Sequence, residues 1–221
     1  MELILHYNSN HNCNCIKMNK YLLTPSLLNN FSYYIQDDWK SPADSRADFL
    51  KTLSRERFAP NEAMQKGIDF EDKILRMATL NLLPAEFNDE QDSVIESISK
   101  VVKGGLWQQS VKKEIKVGNQ EFLLYGRTDV IKRDTIYDIK FTSNYELGKF
   151  LDSSQHLIYL YCSRLPNFSY LISDGKDWWR EDYHNHAGVE DEIKSKVSGF
   201  LDYLENDKEA KEMFLTKWES K

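Results

Sequence analysis

Cysteine is scarce in this chain: it has three among 221 residues, and two of them, Cys13 and Cys15, lie close to its start. An odd number in this arrangement gives no disulfide framework, which is typical of a protein from a reducing compartment such as the cytoplasm. Long apolar runs are missing as well, since the early segment Leu3-Ile4-Leu5 is too short for a signal peptide or a membrane span. We therefore expect a soluble cytoplasmic protein without a membrane partner.

An excess of positive charge is also absent, because 29 lysines and arginines face 35 aspartates and glutamates, for a net charge of -6. The molecule as a whole does not attract polyanions, so any binding of nucleic acid would depend on a local basic patch or on metal ions. Five residues in and around the predicted strands are candidates for such a patch: Lys112, Lys113, Lys116, Arg127 and Lys132.

The composition that remains, with 41% hydrophobic and 29% charged residues, is ordinary for a globular protein with one sizeable core. Residues 1–20 are polar and rich in asparagine, and predict a tail or a short edge element. Residues 21–221 predict a single α/β domain. Its predicted helices start at Thr24-Pro25-Ser26 or cover about 45–56, 62–80, 89–102, 153–163 and 188–205, and its predicted strands cover 110–117, 121–131, 135–142, 168–173 and 177–183.

The most informative segment is Tyr125–Lys140, which has the pattern of a β-hairpin with Arg133-Asp134 as its turn. If the turn has two or four residues, Asp129 stands directly opposite Asp138, with Cβ atoms roughly 4.5–5.5 Å apart. Strand alternation then puts Lys140 on the same face as Asp138. Two carboxylates so close repel each other unless a cation lies between them, and a divalent metal is the obvious candidate. The alternative is that both acids point to solvent from an open sheet face.

Glu71 lies in the predicted helix 62–80, on what the spacing predicts to be its buried face. Four apolar residues define that face: Met64, Ile68, Leu75 and Ala78. A carboxylate on an inward face is costly unless it is paired or bound to a cation. A metal site and a salt bridge to an inward arginine or lysine are both consistent with this position.

Gln155 and Tyr159 lie one turn apart on the helix that follows the hairpin, so their side chains share a face. The pair has the chemistry to contact a phosphate or to hold Lys140 in place. An ordinary amphipathic helix would show the same spacing, so the pair has no functional meaning without its neighbours.

Taken in order, these features resemble the PD-(D/E)XK nuclease superfamily, and within it RecB-type and phage-like exonucleases with a QxxxY motif. The resemblance covers about residues 62–160. It depends on four elements: a helix with Glu71, strands with Gly126-Arg127-Thr128-Asp129 and Asp138-Ile139-Lys140, and a helix with Gln155-His156-Leu157-Ile158-Tyr159. It implies a restriction-endonuclease-like α/β fold, with a mixed central β-sheet flanked by helices.

The resemblance also implies a role for each matched residue. Lys140 would position or deprotonate the attacking water and steady the charged transition state. The oxygen ligands of a metal would come from four residues: Glu71, Asp129, Asp138 and, through its backbone carbonyl, Ile139. Three residues would contact the substrate: Arg127, Gln155 and Tyr159. Because no histidine or cysteine is among the ligands, Mg²⁺ or Mn²⁺ is expected rather than zinc.

The function that the resemblance implies is a metal-dependent deoxyribonuclease, an exonuclease that hydrolyses phosphodiester bonds in phage or bacterial DNA recombination or processing. DNA would be its partner, and a recombination or helicase protein a second one, since the chain has no GxxxxGK[ST] motif. Cys13, Cys15 and Cys162 cannot supply the four cysteines of the iron–sulfur cluster found in many relatives, so none is expected. Two alternatives stay open: a non-catalytic DNA-binding or assembly module that retains the fold, and an unrelated α/β domain with a chance acidic cluster.

Overall fold

The structure is a computed structural model that describes residues 20–36, 41–57, 59–80 and 90–220. The predicted tail, with Cys13 and Cys15, lies outside the described residues except for Lys20. The helices are α1 (Pro25–Gln36), α2 (Pro42–Ser54), α3 (Glu62–Leu80), α4 (Glu90–Val102), α5 (Ser154–Ser163), α6 (Val189–Asn206) and α7 (Lys208–Lys217). The strands are β1 (Tyr21–Leu23), β2 (Leu106–Trp107), β3 (Ser110–Val117), β4 (Gln120–Arg127), β5 (Val130–Lys132), β6 (Thr135–Phe141), β7 (Asn167–Ser173) and β8 (Trp178–His184).

The strands form two mixed sheets, which confirms the predicted α/β fold with mixed β-structure between helices. A three-stranded sheet has the order β1-β4-β3, and a five-stranded sheet has the order β2-β5-β6-β7-β8. In the larger sheet β6 and β7 run parallel, while their outer neighbours are antiparallel. The parallel pair is joined through α5, the helical crossover that such a connection requires.

The five-stranded sheet separates two apolar clusters. On one face, Val130, Ile139 and Leu171 pack with buried residues of α3 and α4. On the other face, Ile136 and Tyr170 join a larger cluster that includes the three-stranded sheet and α1, α2, α5, α6 and α7. Strand alternation explains the division, because neighbouring residues of β6 and β7 point to opposite faces.

The predicted strand 121–131 is wrong in one respect, because the chain breaks it into β4 and β5, which belong to different sheets. At the break, the backbone N–H of Thr128 donates to the carbonyl of Gln109 at 2.9 Å, and the N–H of Gln108 donates to the carbonyl of Asp129 at 2.9 Å. The short strands β1 and β2 are absent from the predicted elements. Each has only two or three residues and is held by partners distant in sequence, so periodicity gives no signal for it.

The predicted basic patch forms only in part, because the register of β3 and β4 places Lys112, Lys116 and Arg127 on one face of the three-stranded sheet and the other two lysines elsewhere. Lys113 lies over the Tyr161 ring, with its Nζ 3.4 Å from the ring centroid. Lys132 donates instead to the carbonyl of Val101 at 2.5 Å, next to the smaller apolar cluster. Within the described residues, no helix is both long enough and apolar enough to cross a membrane.

Candidate active site

The hairpin that was predicted from Tyr125–Lys140 has a two-residue turn, Arg133-Asp134, and the even turn length is confirmed. β5 and β6 pair as Val130 with Tyr137, Ile131 with Ile136 and Lys132 with Thr135. Arg133 adopts a φ of 56°, the left-handed conformation that two-residue hairpin turns demand. Continued by one residue, this register puts Asp129 level with Asp138.

Asp129 lies in the break between β4 and β5, and its side chain reaches the next strand. Its Oδ2 accepts a hydrogen bond of 2.8 Å from the backbone N–H of Ile139, between the acid and the lysine of β6. The N–H and carbonyl of one strand residue point to the same edge, so the Ile139 carbonyl also faces the side of Asp129. Two oxygen-bearing groups of the predicted metal site, the Asp129 carboxylate and the Ile139 carbonyl, therefore share one edge of β6.

Asp138 is buried, with 1% of its surface exposed, which excludes the interpretation that this acid points to solvent. Its Oδ1 accepts a hydrogen bond of 2.5 Å from Gln155 Nε2. Its Oδ2 lies 2.5 Å from Lys140 Nζ and forms an ion pair with it. Gln155 thus contacts the acid of the hairpin, whereas the sequence suggested a phosphate or Lys140 as its partner.

Glu71 is half-buried in α3, and its Oε1 accepts a hydrogen bond of 2.8 Å from Gln108 Nε2. It forms no ion pair with any residue that the structure describes, so the predicted salt-bridge alternative is not found there. The predicted inward face is wrong in its first half, since Met64 is 46% and Ile68 is 50% exposed. The face that α3 buries consists of Phe70, Ile74, Met77 and Ala78.

Tyr159 ties the break in the strand to helix α5. Its hydroxyl donates to the carbonyl of Arg127 at 2.7 Å and accepts a hydrogen bond of 3.3 Å from Gln155 Nε2. A Cβ placed on Gly126 would lie 2.1 Å from Tyr159 Cε1, so only glycine lets the ring lie against this strand. The QxxxY pair is therefore an internal part of the site and not the solvent face of an amphipathic helix.

Burial raises the pKa values of all three acids, and neighbouring carboxylates add to the rise for Asp129 and Glu71. Burial, and then the charges of Asp138 and Glu71, hold the pKa of Asp129 well above its usual range. Burial raises the pKa of Asp138 despite Lys140, and burial with the charge of Asp138 raises the pKa of Glu71. For Lys140, burial acts to lower the pKa, but the neighbouring carboxylates outweigh it and the pKa is raised. The site is short of positive charge even with the lysine in place.

A cleft of about 640 Å³ opens beside these groups. Its floor includes Lys140 and Arg127, and no acidic residue is among those that line it in the described parts of the chain. Its rim includes the exposed Met64 of α3 and Tyr33 of α1. The cleft therefore offers cations and aromatic surface directly above a buried acidic centre.

The residues fit a hard divalent cation in their chemistry. No group of three or more histidine, cysteine, aspartate or glutamate side chains is so arranged, within the described ranges, that it could hold a metal as it stands. However, Asp138 Oδ2 is a buried oxygen without a hydrogen bond. The hydrogen bonds from Ile139 to Asp129 and from Gln108 to Glu71 each use one oxygen of the carboxylate. Carboxylate and carbonyl oxygens are the donors that Mg²⁺ and Mn²⁺ prefer.

Sequence reasoning missed Gln108, which touches two parts of the site. Its backbone N–H holds the carbonyl of Asp129, and its side chain holds Glu71. Its φ of 54° is left-handed, which is uncommon for a residue other than glycine. It follows the two-residue strand β2, where no periodic pattern exists, so the only sequence signal is its position soon after Gly104-Gly105.

Comparison with known proteins gives a likeness of fold only. No family model matches the sequence, and no curated protein matches it. Among solved structures, the chain is similar to the crystal structure of SSO0001, with a TM-score of 0.44, 10% identity, and coverage of 81% of this chain and 76% of that one. It is also similar to LHK-Exo in complex with dAMP, with a TM-score of 0.49, 13% identity, and coverage of 84% and 88%. A third similarity is to Scheffersomyces stipitis Rai1, with a TM-score of 0.32, 14% identity, and coverage of 86% and 62%. Likenesses of this degree do not assign an activity.

Proposed function

We propose that this protein is a nuclease that hydrolyses phosphodiester bonds in DNA with the help of Mg²⁺ or Mn²⁺. The observation that carries the proposal is Asp138, a buried carboxylate whose Oδ1 accepts a hydrogen bond from Gln155 and whose Oδ2 has an ion pair with Lys140. Asp129 and Glu71 lie in the same place, and burial foremost, followed by the charge of Asp138, raises the pKa of each. A fold tolerates such a cluster where a cation is bound during function.

The chain's own groups have distinct tasks in this proposal. Gln155 holds one oxygen of Asp138, and the other oxygen, which has an ion pair with Lys140, is the one that would act as a ligand. Lys140 orients the attacking water and stabilises the charge that develops on the phosphoryl oxygens. Arg127 lines the cleft and attracts the phosphates of the strand.

Glu71, Asp129, Asp138 and the carbonyl of Ile139 are the groups that would hold the metal. When it is bound, the metal supplies neutralisation of phosphate charge and lowers the pKa of water. The exonucleolytic mode, the role in recombination or DNA processing and a helicase or recombination partner come from the motif resemblance and belong to the proposal.

The test is incubation of the protein with end-labelled linear DNA and with circular DNA, in Mg²⁺, Mn²⁺ or EDTA. We expect loss of linear DNA only with metal, and persistence of the circle if the enzyme acts from ends. Asp129→Ala and Lys140→Ala should each lower the rate by about a hundredfold or more. Asp134→Asn is the matched control, because Asp134 is exposed in the turn of the same hairpin.

Absence of metal-dependent cleavage for every form of DNA contradicts the enzyme proposal. Binding of DNA without cleavage would instead identify the non-catalytic module. Cleavage that Asp129→Ala leaves intact would show that the chemistry takes place elsewhere on the chain.

A further inference from the structure

The loop between β6 and α5, residues 142–153, holds apolar side chains out in solvent. Leu147 is 90% exposed and Leu151 is 64% exposed. Between them, Phe150 turns inward, where its ring centroid lies 4.8 Å from that of Tyr170. The loop therefore has one apolar side chain that packs inward, Phe150, and two leucines that are exposed.

A buried carboxylate fixes the part of this loop that contains Leu147. Glu181 of β8 is 7% exposed, and its Oε1 accepts hydrogen bonds from the Tyr145 hydroxyl at 2.7 Å and from the Gly148 N–H at 2.9 Å. Its Oε2 accepts a third, of 2.8 Å, from the Tyr183 hydroxyl. Hydrogen bonds to a carboxylate are among the stronger ones, so Leu147 is held between two fixed neighbours. It cannot fold back onto the core unless these bonds break.

Two lysines fix the ends of the same loop. Lys149 Nζ donates to Thr142 Oγ1 at 2.8 Å and to the Asn144 carbonyl at 2.5 Å. Lys196 of α6 donates to the carbonyl of Asp152 at 2.9 Å. The ammonium group of Lys149 is therefore occupied inside the loop, which limits its use for phosphate binding.

The loop also lies beside the cleft of the candidate active site. It starts two residues after Lys140 and ends at Ser153, which caps α5. Phe150 and Ser153 line the cleft, and Leu147, three residues before Phe150 in the chain, lines a separate depression of about 330 Å³. The exposed acids of the loop, Glu146 and Asp152, disfavour the phosphates of a nucleic acid.

We propose that loop 142–153 is the element that contacts the nucleobases at the end of the bound strand, with Leu147 as its principal contact and Glu181 as the residue that positions it. Apolar side chains of DNA-binding proteins pack against or between bases, where no charge is needed. The proposal rests on the proposed function, since it assigns the nucleic-acid substrate to the same cleft. It goes further by assigning the bases to the loop and the phosphates to Arg127 and Lys140 of the cleft.

The experiment measures binding of a short fluorescein-labelled single-stranded oligodeoxynucleotide by anisotropy in EDTA, where no cleavage takes place. Leu147→Ser should weaken binding by about tenfold, because the burial of a leucine side chain is lost. An oligodeoxynucleotide with abasic residues at its end should bind Leu147→Ser and the unmodified protein equally. Leu215→Ser is the matched control, since Leu215 is a partly exposed leucine of α7.

Glu181→Gln should give part of the loss for the normal oligodeoxynucleotide and none for the abasic one, because it loosens the loop without removing the leucine. Equal losses on both oligodeoxynucleotides, or none on either, would overturn the proposal. Hydrolysis of bis(p-nitrophenyl) phosphate by the unmodified protein with Mn²⁺ tests the chemistry separately. If that diester is hydrolysed while Leu147→Ser binds DNA normally, the loop proposal fails and the nuclease proposal stands. If no diester is hydrolysed but Leu147→Ser loses affinity only for the oligodeoxynucleotide that has its bases, the nuclease proposal fails and the loop proposal stands.

Discussion

Gly126→Ala is the substitution that most directly tests how the site is held together. The added Cβ would lie 2.1 Å from Tyr159 Cε1 and 2.8 Å from Cδ1. Ordinary contact begins at 3.4 Å, so the ring must retreat by about 1.3 Å. The hydroxyl of that ring donates to the Arg127 carbonyl at 2.7 Å, and a retreat of this size breaks the bond.

The expected cost has two parts. Overpacking of a buried ring costs about 1–3 kcal/mol, and the loss of a buried hydrogen bond costs about 1 kcal/mol. Alanine also lowers the conformational entropy of the unfolded chain, which offsets about 0.4–1 kcal/mol of this cost. We therefore expect Gly126→Ala to lower the free energy of unfolding by about 1–4 kcal/mol. Activity should fall too, because Arg127 and Asp129 lie on the strand end that Tyr159 holds.

Urea denaturation measures the loss of stability, which should appear as a lower midpoint at an unchanged slope. Gly199→Ala is the matched control, since nothing lies within 4 Å of its added Cβ in the middle of α6; it should be neutral or stabilising. In the double variant Gly126→Ala with Tyr159→Ala, much of the overpacking term should disappear, so the two costs should not add. Full stability of Gly126→Ala, or strict additivity in the double variant, would refute the argument.

Two further predictions concern titrating groups outside the acidic centre of Glu71, Asp129 and Asp138. Burial foremost lowers the pKa of His156 to about 4, whereas the unfolded chain titrates near 6.5. Stability should fall by roughly 3 kcal/mol as the pH decreases through that window, because the unfolded state binds the proton first. The measurement is the pH dependence of urea unfolding compared with that of His156→Phe, and identical pH profiles would contradict it. Asp207 caps α7 and pairs with Arg46 through bonds of 2.9 and 3.0 Å, which lower its pKa to about 2. Asp207→Ala should therefore cost about 2 kcal/mol at pH 7, and this contribution should vanish as the pH falls below 4 towards 2. Asp202→Ala, on the exposed face of α6, should change little.

The register of the hairpin could be predicted because it depends on local rules. A polar two-residue turn between apolar strands leaves one antiparallel register, and alternation then decides which side chains share a face. Tyr137, Ile139 and Phe141 do pack against one cluster, while Asp138 and Lys140 face the other side. The same local logic found the helix with Gln155 and Tyr159.

The orientation of α3 could not be predicted in the same way, because periodicity assumes that a helix is covered along its whole length. The second half of α3 packs on α4 and the five-stranded sheet through Phe70, Ile74 and Met77. The first half extends past the sheet, so Met64 reaches the cleft and Ile68 faces solvent. Only the tertiary arrangement decides where that cover ends.

The break between β4 and β5 is the other feature that sequence did not predict, and the geometry of the site depends on it. A continuous strand would have carried the ladder past Asp129 and hydrogen-bonded the edge of β6 at Ile139. Instead, Thr128 bonds to Gln109, and the Ile139 N–H is free to donate to the Asp129 carboxylate. Tyr159 holds the diverging strand at Arg127 and can do so because residue 126 is glycine. The acidic centre of this protein therefore depends on the interruption of the strand that brings Asp129 to β6.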